Sequence, residues 1–232
     1  MKPISPPQTL MELTAERIRE AIIVGELPLG SKVSEQRLAD ALAISRSPVR
    51  EALALLQIEG LVRIFPKRGT FVFTPDEKIV LDLCDHRACL ESACLKMGVE
   101  RAHDALLGGM RQAMDDMYKA IRSKDPSAYA LADMRFHRAI VTSSGNLSMA
   151  RVYGSTIGPL MALRTHLFTE MQADNQVSMA QHAALLAACE TGDIQQGQAI
   201  IDDHVHMLAD HYRSRPVSET GKPQQPVTSA SA

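Results

Sequence analysis

Two sets of residues in this chain have types and spacings suited to chemistry. The first is Arg46 and Arg50, within SEQRLADALAISRSPVREAL over residues 34 to 53. Four helical steps leave about 40° between two side chains, so both guanidinium groups would leave a helix on one side. An arginine fork matches the O6 and N7 acceptors of guanine in the major groove, which gives the pair a DNA-reading chemistry. The second set is Asp133, His137, His182 and His204. One carboxylate and three imidazoles form a reasonable ligand set for a divalent metal ion. Asp133 and His137 stand at i and i+4, about 5–6 Å apart on one helix face. Spacing does not bring the other two to them. The competing readings are solvated surface charge for the arginines, and ordinary core or surface histidines for the rest.

The elements that must position the arginines are legible around them. Ser45 suits a helix N-cap, with its hydroxyl accepting from the first turn. Pro48 falls inside that turn, where a missing N–H costs little. Val49, Leu53 and Leu56 form the stripe that packs inward. Upstream, Ser34 caps a helix from Glu35 to about Leu42, with Leu38, Ala39 and Leu42 facing the core. Ser45 and Ser47 can donate to phosphate, which a helix N-terminus also favours. Gly60 then ends the second helix, and LVRIFPKRGTFVF reads as a hairpin. Its tip, Pro66-Lys67-Arg68-Gly69, places two cations for phosphate or the minor groove beside a glycine that allows close backbone approach. An ordinary exposed hairpin is the alternative.

From about Pro75 to Arg213 the grammar is helical almost throughout, rich in Ala, Leu, Met, Glu, Gln and Arg. Breaks are expected at Gly108-Gly109, Lys124-Asp125-Pro126, Ser143 to Asn146, Gly158-Pro159 (as a kink), Ala173 to Gln176, and Gly192-Asp193. These predict six or seven helices in an antiparallel bundle. Asp133 and His137 neighbour Met134, Phe136, Ile140 and Val141, so their helix should be largely buried. His182 opens a run continuing with Leu185, Leu186 and Cys189, and His204 shares a stripe with Ile200, Ile201, Met207, Leu208 and His211. The fold class is therefore mainly α: a winged helix-turn-helix with a small β-hairpin wing, then an all-α bundle.

Charge divides the same way. Residues 1–75 hold ten Lys/Arg and eight Asp/Glu, while the rest hold fifteen and nineteen. A basic-leaning head on an acidic body fits nucleic-acid binding confined to the head. No run of eighteen apolar residues and no signal pattern occur, so a cytoplasmic protein is expected. Cys84, Cys89, Cys94 and Cys189 have no zinc-type spacing and read as reduced packing residues. The expected divisions are 8–75 for the head, 76–213 for the bundle and 214–232 for a disordered, proline-rich tail.

Residues 10 to 73 resemble the winged helix-turn-helix of the GntR family of bacterial regulators. The resemblance rests on Ser45-Arg46-Ser47-Pro48-Val49-Arg50-Glu51-Ala52-Leu53, on Glu59-Gly60-Leu61-Val62 and on Arg68-Gly69-Thr70-Phe71-Val72. It implies DNA contact by Ser45, Arg46, Ser47, Arg50 and Gly69. Gln36 replaces the family's usual arginine, with Arg37 next to it, and Ala43 replaces a turn glycine. Gln36 still suits phosphate or adenine. Most of residues 80 to 212, through Asp133, Phe136-His137, Asn146, His182, Asp193, Ala199 and His204, resembles the helical FCD effector domain. That likeness implies a divalent ion, zinc first with nickel or manganese as alternatives, on Asp133, His137, His182 and His204. Gln181 stands where glutamate is usual. Arg87 would face the effector cavity, or else form a surface i, i+4 pair with Glu91; Asn146 would reach the effector or cap a turn. The implied function is a homodimeric regulator, a repressor by inclination, that reads a short inverted repeat in double-stranded DNA and responds to a small organic acid, with no membrane partner. Two alternatives stand beside it: a metal-dependent hydrolase-like activity of the bundle, and a DNA-binding regulator whose bundle only dimerises. No motif calls for the first.

Overall fold

The computed structural model describes residues 9–167 and 172–214. The expected tail lies outside them, apart from its first residue. The chain opens with α1 (Leu10–Ile23), whose N-cap Thr9 and Glu12 form a reciprocal capping box. The short β1 (Lys32–Val33), α2 (Glu35–Leu42) and α3 (Arg46–Ile58) follow, then β2 (Val62–Phe65) and β3 (Gly69–Val72). Seven helices complete the described chain: α4 (Glu77–Arg101), α5 (His103–Ser123), α6 (Pro126–Ser143), α7 (Leu147–Thr156), α8 (Gly158–Leu167), α9 (Gln172–Thr191) and α10 (Ile194–Ser214).

The wing is a three-stranded antiparallel sheet in the order β1-β3-β2, with Val62 opposite Val72 and Phe65 opposite Gly69. The sequence predicts two arms; β1 adds a third, pairing Lys32 with Phe71. The expected caps hold in position. Ser34 accepts from the Arg37 amide, whereas Ser45 occupies the N-cap of α3 without a side-chain cap bond. Ala43 takes the left-handed conformation, φ 53° and ψ 42°, that its place in the turn demands.

Two apolar clusters carry the packing. One joins Ile18, Ile22, Val49, Leu53, Leu56, Leu61, Val62 and Val72 in the head, and takes Ala162 from α8. The other fills the bundle and takes Ile23 from α1. Head and bundle are thus interlocked by α1 against α8. Gly158 allows a second approach, of α8 to the turn after α3, since a Cβ there would stand 2.9 Å from Leu61 Cδ1. Only Ile157 separates α7 from α8, and its helical φ −75° and ψ −23°, with its N–H bonded to the Tyr153 carbonyl, agree with the expected kink in one long helix. Arg19 of α1 also grips Glu59 at the end of α3 through two hydrogen bonds of 2.7 and 2.8 Å.

Two expected breaks are corrected. Gly108 and Gly109 lie inside an unbroken α5. They let it press on α6: a Cβ at Gly109 would meet the Ala139 Cβ at 2.8 Å, so the glycine spaces two helices instead of ending one. Helix α9 is already under way at Gln172, ahead of the break placed at Ala173 to Gln176. The real interruption between α4 and α5 is at Ala102, which no glycine or proline marks.

Candidate metal centre and nucleic-acid interface

Helix α6 turns Asp133 and His137 inward because Tyr129, Ala132, Phe136 and Ile140 occupy the same buried flank. His182 arrives from α9 and His204 from α10, between the buried Ile201 and Leu208. The four ligand atoms lie within 4.8 Å of one another, and all four residues are buried. His137 Nε2 stands 3.1 Å from His204 Nε2 and 3.2 Å from His182 Nε2. Asp133 Oδ1 is 3.4 Å from His182 Nε2 and 3.9 Å from His137 Nε2.

The arrangement fits a cation. Zinc–nitrogen bonds of about 2.0–2.1 Å in tetrahedral geometry separate two nitrogens by roughly 3.3 Å, close to the spacings seen. Both oxygens of the buried Asp133 carboxylate lack a hydrogen-bond donor among the described residues. Outer partners aim two of the rings. His137 Nδ1 lies 2.7 Å from Glu91 Oε2, and His204 Nδ1 lies 3.1 Å from Gln181 Oε1. Each oxygen accepts from Nδ1–H, which assigns the tautomer and leaves the Nε2 lone pair facing the centre. Gln181 therefore still serves as an acceptor where a glutamate was usual. Burial pushes His182 and His204 well below the ordinary histidine range, outweighing for His182 the opposing pull of the Asp133 carboxylate, so both are neutral.

Around this centre lies a second, charged layer. Arg87 and Glu91 form the expected i, i+4 pair at 2.7 Å, but it is interior rather than on the surface, with side chains 2% and 0% exposed. Tyr153 donates to the same Glu91 oxygen at 2.7 Å. Burial opposes ionisation of Glu91, yet the Arg87 guanidinium foremost, with the hydrogen bond from His137, outweighs it and holds the carboxyl at about 2. Asp133 is also held below its usual range: burial works against it, while the Arg164 guanidinium, 3.2 Å away, favours the charge most strongly. Arg164 further donates to Ser178 Oγ at 2.9 Å and Tyr129 Oη at 3.3 Å. Arg87 Nη2 and Arg164 Nε have no acceptor among the described residues. Arg164, Tyr153 and Ser178 were missed in the sequence; an arginine inside the apolar run GPLMALRTHL was the available signal. Asn146 caps α7, its Oδ1 accepting from the Ser148 and Met149 amides, so that oxygen is committed to the turn.

On the head, α3 exposes Arg46 and Arg50 on one side while Val49, Leu53 and Leu56 are buried. Glu35 of α2 reaches both arginines: Oε2 is 3.2 Å from Arg46 Nη2 and 3.1 Å from Arg50 Nη2. Ser45 is exposed, and Ser47 donates to Glu51 at 3.2 Å. Gln36 donates to Asp40 at 2.7 Å, and Arg37 is exposed. At the wing tip Lys67 takes φ 63° and Gly69 φ 109°, and the Arg68 guanidinium sits 5.5 Å from the Phe65 ring centre. The structure thus places Arg46, Arg50 and the wing cations on an exposed head, and the Asp/His set inside the bundle.

Comparison with known proteins agrees with both halves. The sequence profile of the bacterial regulatory proteins of the gntR family matches residues 10–72, and that of the FCD domain matches residues 82–207. The chain is 27% identical over 182 residues to the gluconate operon transcriptional repressor of Bacillus licheniformis, covering 76% of this chain and 74% of that one. It is 26% identical over 195 residues to a probable D-xylose utilization operon transcriptional repressor of Paenarthrobacter nicotinovorans, covering 82% and 85%. A crystal structure of a putative transcriptional regulator GntR from Rhodococcus sp. RHA1 superposes with a TM-score of 0.78 at 20% identity, over 89% of this chain and 99% of that one. At that identity the superposition speaks for the fold alone. No helix among the described residues is long and apolar enough to cross a membrane. With a DNA-binding head and a helical effector-domain body both matched, the chain belongs to the GntR family of bacterial transcriptional regulators, in the branch that carries an FCD domain.

Proposed function

We propose that this regulator is a cytoplasmic homodimeric repressor that reads a short inverted repeat and is released by a small organic acid bound at a metal in the bundle. Charge balance carries the reading. Around the centre, two buried guanidinium groups, Arg87 and Arg164, face two buried carboxylates, Glu91 and Asp133, and His182 and His204 are neutral. Asp133, His137, His182 and His204 would hold a divalent ion, zinc by ligand type, whose chemistry there is to present a Lewis-acid position to an anion. The ion brings two positive charges to a balanced, water-poor interior, and an organic anion offsets them. The unpartnered Arg87 Nη2 and Arg164 Nε supply donors for a carboxylate. A relative that represses a gluconate operon supports a sugar acid or hydroxy acid as the ligand class.

On the head, Arg46 and Arg50 read bases, while Ser45, Ser47, Gln36, Arg37, Lys67, Arg68 and the Gly69 backbone meet phosphate or groove edges. Tyr153 links the two regions. It donates to Glu91, which holds His137, and it also lines a cleft of 370 Å³ together with Arg19 and Ile23 of α1. A ligand that favours one packing of α1 against the body would thereby bias the heads, in proportion to its preference for that packing.

The test is to sequence genomic fragments retained by the purified protein, assay its metal content, and titrate organic acids against the bound DNA. An enriched palindrome, stoichiometric metal and release by an acid are the expected results. An intact, metal-bearing dimer that enriches no sequence overturns the reading.

A further inference from the structure

The base-reading arginines are not free on the head. Glu35, the first residue of α2, bridges to both across the helix-turn-helix. Arg50 is gripped along one edge: its Nη2 lies 3.1 Å from Glu35 Oε2, and its Nε lies 3.3 and 3.4 Å from the two carboxylate oxygens. A guanidinium has five N–H groups in a rigid fork. Holding the Nε–Nη2 edge leaves the Nη1–Nη2 end pointing away with two parallel N–H groups, the pair that a guanine edge accepts. Arg46 is touched through Nη2 alone, at 3.2 Å, so its other donors are open.

A carboxylate at this position opposes DNA binding in general, because it repels the phosphate backbone. Its side chain is 26% exposed, against 55% and 65% for the two arginines, so it stands on the face that DNA would meet. Resting on the assignment of Arg46 and Arg50 as base readers, we propose that Glu35 is a specificity-determining residue that splints Arg50, and to a lesser degree Arg46, in the orientation that reads guanine. It gives up affinity for DNA of any sequence and gains discrimination. A long arginine that would otherwise lose rotamer freedom on binding is ordered beforehand. The carboxylate also separates two like charges that lie one helical turn apart. Hydrogen bonding from Arg50 holds Glu35 in its ionised form, so the splint is charged at neutral pH.

The experiment uses the full chain. A random-sequence duplex pool is selected on the wild-type protein, and dissociation constants are then measured for the enriched duplex and for a shuffled duplex at one salt concentration. Glu35→Gln should bind the shuffled duplex about threefold more tightly, since one negative charge leaves the face. The ratio of shuffled to enriched dissociation constants should fall about tenfold, as expected for a weakened base contact. Glu35→Asp keeps the charge but withdraws it by one methylene, and should lower the ratio without tightening the shuffled complex. In an Arg50→Ala background, Glu35→Gln should change the ratio far less than in the wild type. A ratio within about twofold of wild type in both Glu35 variants, or equal changes on both duplexes, overturns the splint. If Arg50→Ala keeps the wild-type preference, the base-reading assignment itself fails. Preference lost in Arg50→Ala but intact in both Glu35 variants overturns the role of Glu35 alone.

Discussion

Carboxylates meet guanidinium groups in two regions of this molecule, with opposite settings. On the head, Glu35 faces Arg46 and Arg50 at 3.1–3.2 Å with all three side chains at least a quarter exposed. In the body, Glu91 faces Arg87 at 2.7 Å and Asp133 faces Arg164 at 3.2 Å, with no side chain more than 3% exposed. Water and salt can replace either partner of the Glu35 pairs, so these pairs contribute little to folding and their donors remain tradeable for phosphate and bases. Nothing replaces a partner in the body except an incoming ion or ligand. The same chemistry therefore gives an exposed, exchangeable surface in one place and a fixed, water-excluded core in the other, and burial makes the difference.

The sharpest test of that contrast removes one partner on each side. Glu91→Ala strands the buried Arg87 charge and releases His137, and should lower the unfolding free energy by about 3–5 kcal/mol in a denaturant titration. Glu35→Ala should leave the unfolding midpoint almost unchanged. Comparable losses from the two would break the comparison. Acid separates the regions too. Glu91 has a folded value of about 2, below its ordinary value, so its contribution is present above the ordinary carboxylate value and is lost as the pH falls towards 2. His182 and His204 are also depressed on folding, so in the metal-free protein the unfolded chain takes their protons first. Stability of the metal-free protein should therefore begin to fall below about pH 6.5, and fall further below about 4.3 as the carboxylates join. A thermal-melting midpoint flat from pH 7 to 5 in the metal-free protein would contradict the buried neutral histidines.

Metal removal is next in size. An ion at a hundred times its dissociation constant stabilises the folded state by about 2.7 kcal/mol. Chelation should lower the melting temperature accordingly, and His182→Ala with His204→Ala should abolish both metal retention and that shift. Arg46→Ala or Arg50→Ala should act only on the other region, reducing sequence discrimination by about one to two orders of magnitude while the chelation shift persists. The smallest effect belongs to the turn between α2 and α3. Ala43→Gly relieves a left-handed residue at φ 53° and should stabilise the protein by about 0.5–1 kcal/mol, measured by denaturant unfolding.

The head was legible because its signals are local. Ser34 and Ser45 at their N-caps, the spacing of Arg46 and Arg50, and Gly60 with φ 76° after α3 all act within a turn or two of themselves. The two-residue β1 escaped notice because it has no room for alternation and exists only through its pairing with β3. In the body, helix existence could be read but punctuation could not always be. Gly108 and Gly109 looked like a stop, yet Gly109 serves the α5–α6 contact, a purpose visible only once the partner helix is in place.

The sequence alone determined the residue types available for chemistry, the helical faces that carry them and the division into a basic-leaning head and an acidic body. These depend on spacing along one chain and on composition. Tertiary structure decided convergence and burial. It brought His182 and His204 to Asp133 and His137, joined Glu91 to a histidine 46 positions away, and turned Arg164 onto Asp133. Distances between helices far apart in sequence depend on how whole faces pack, and the strength of a charge depends on how much water that packing excludes.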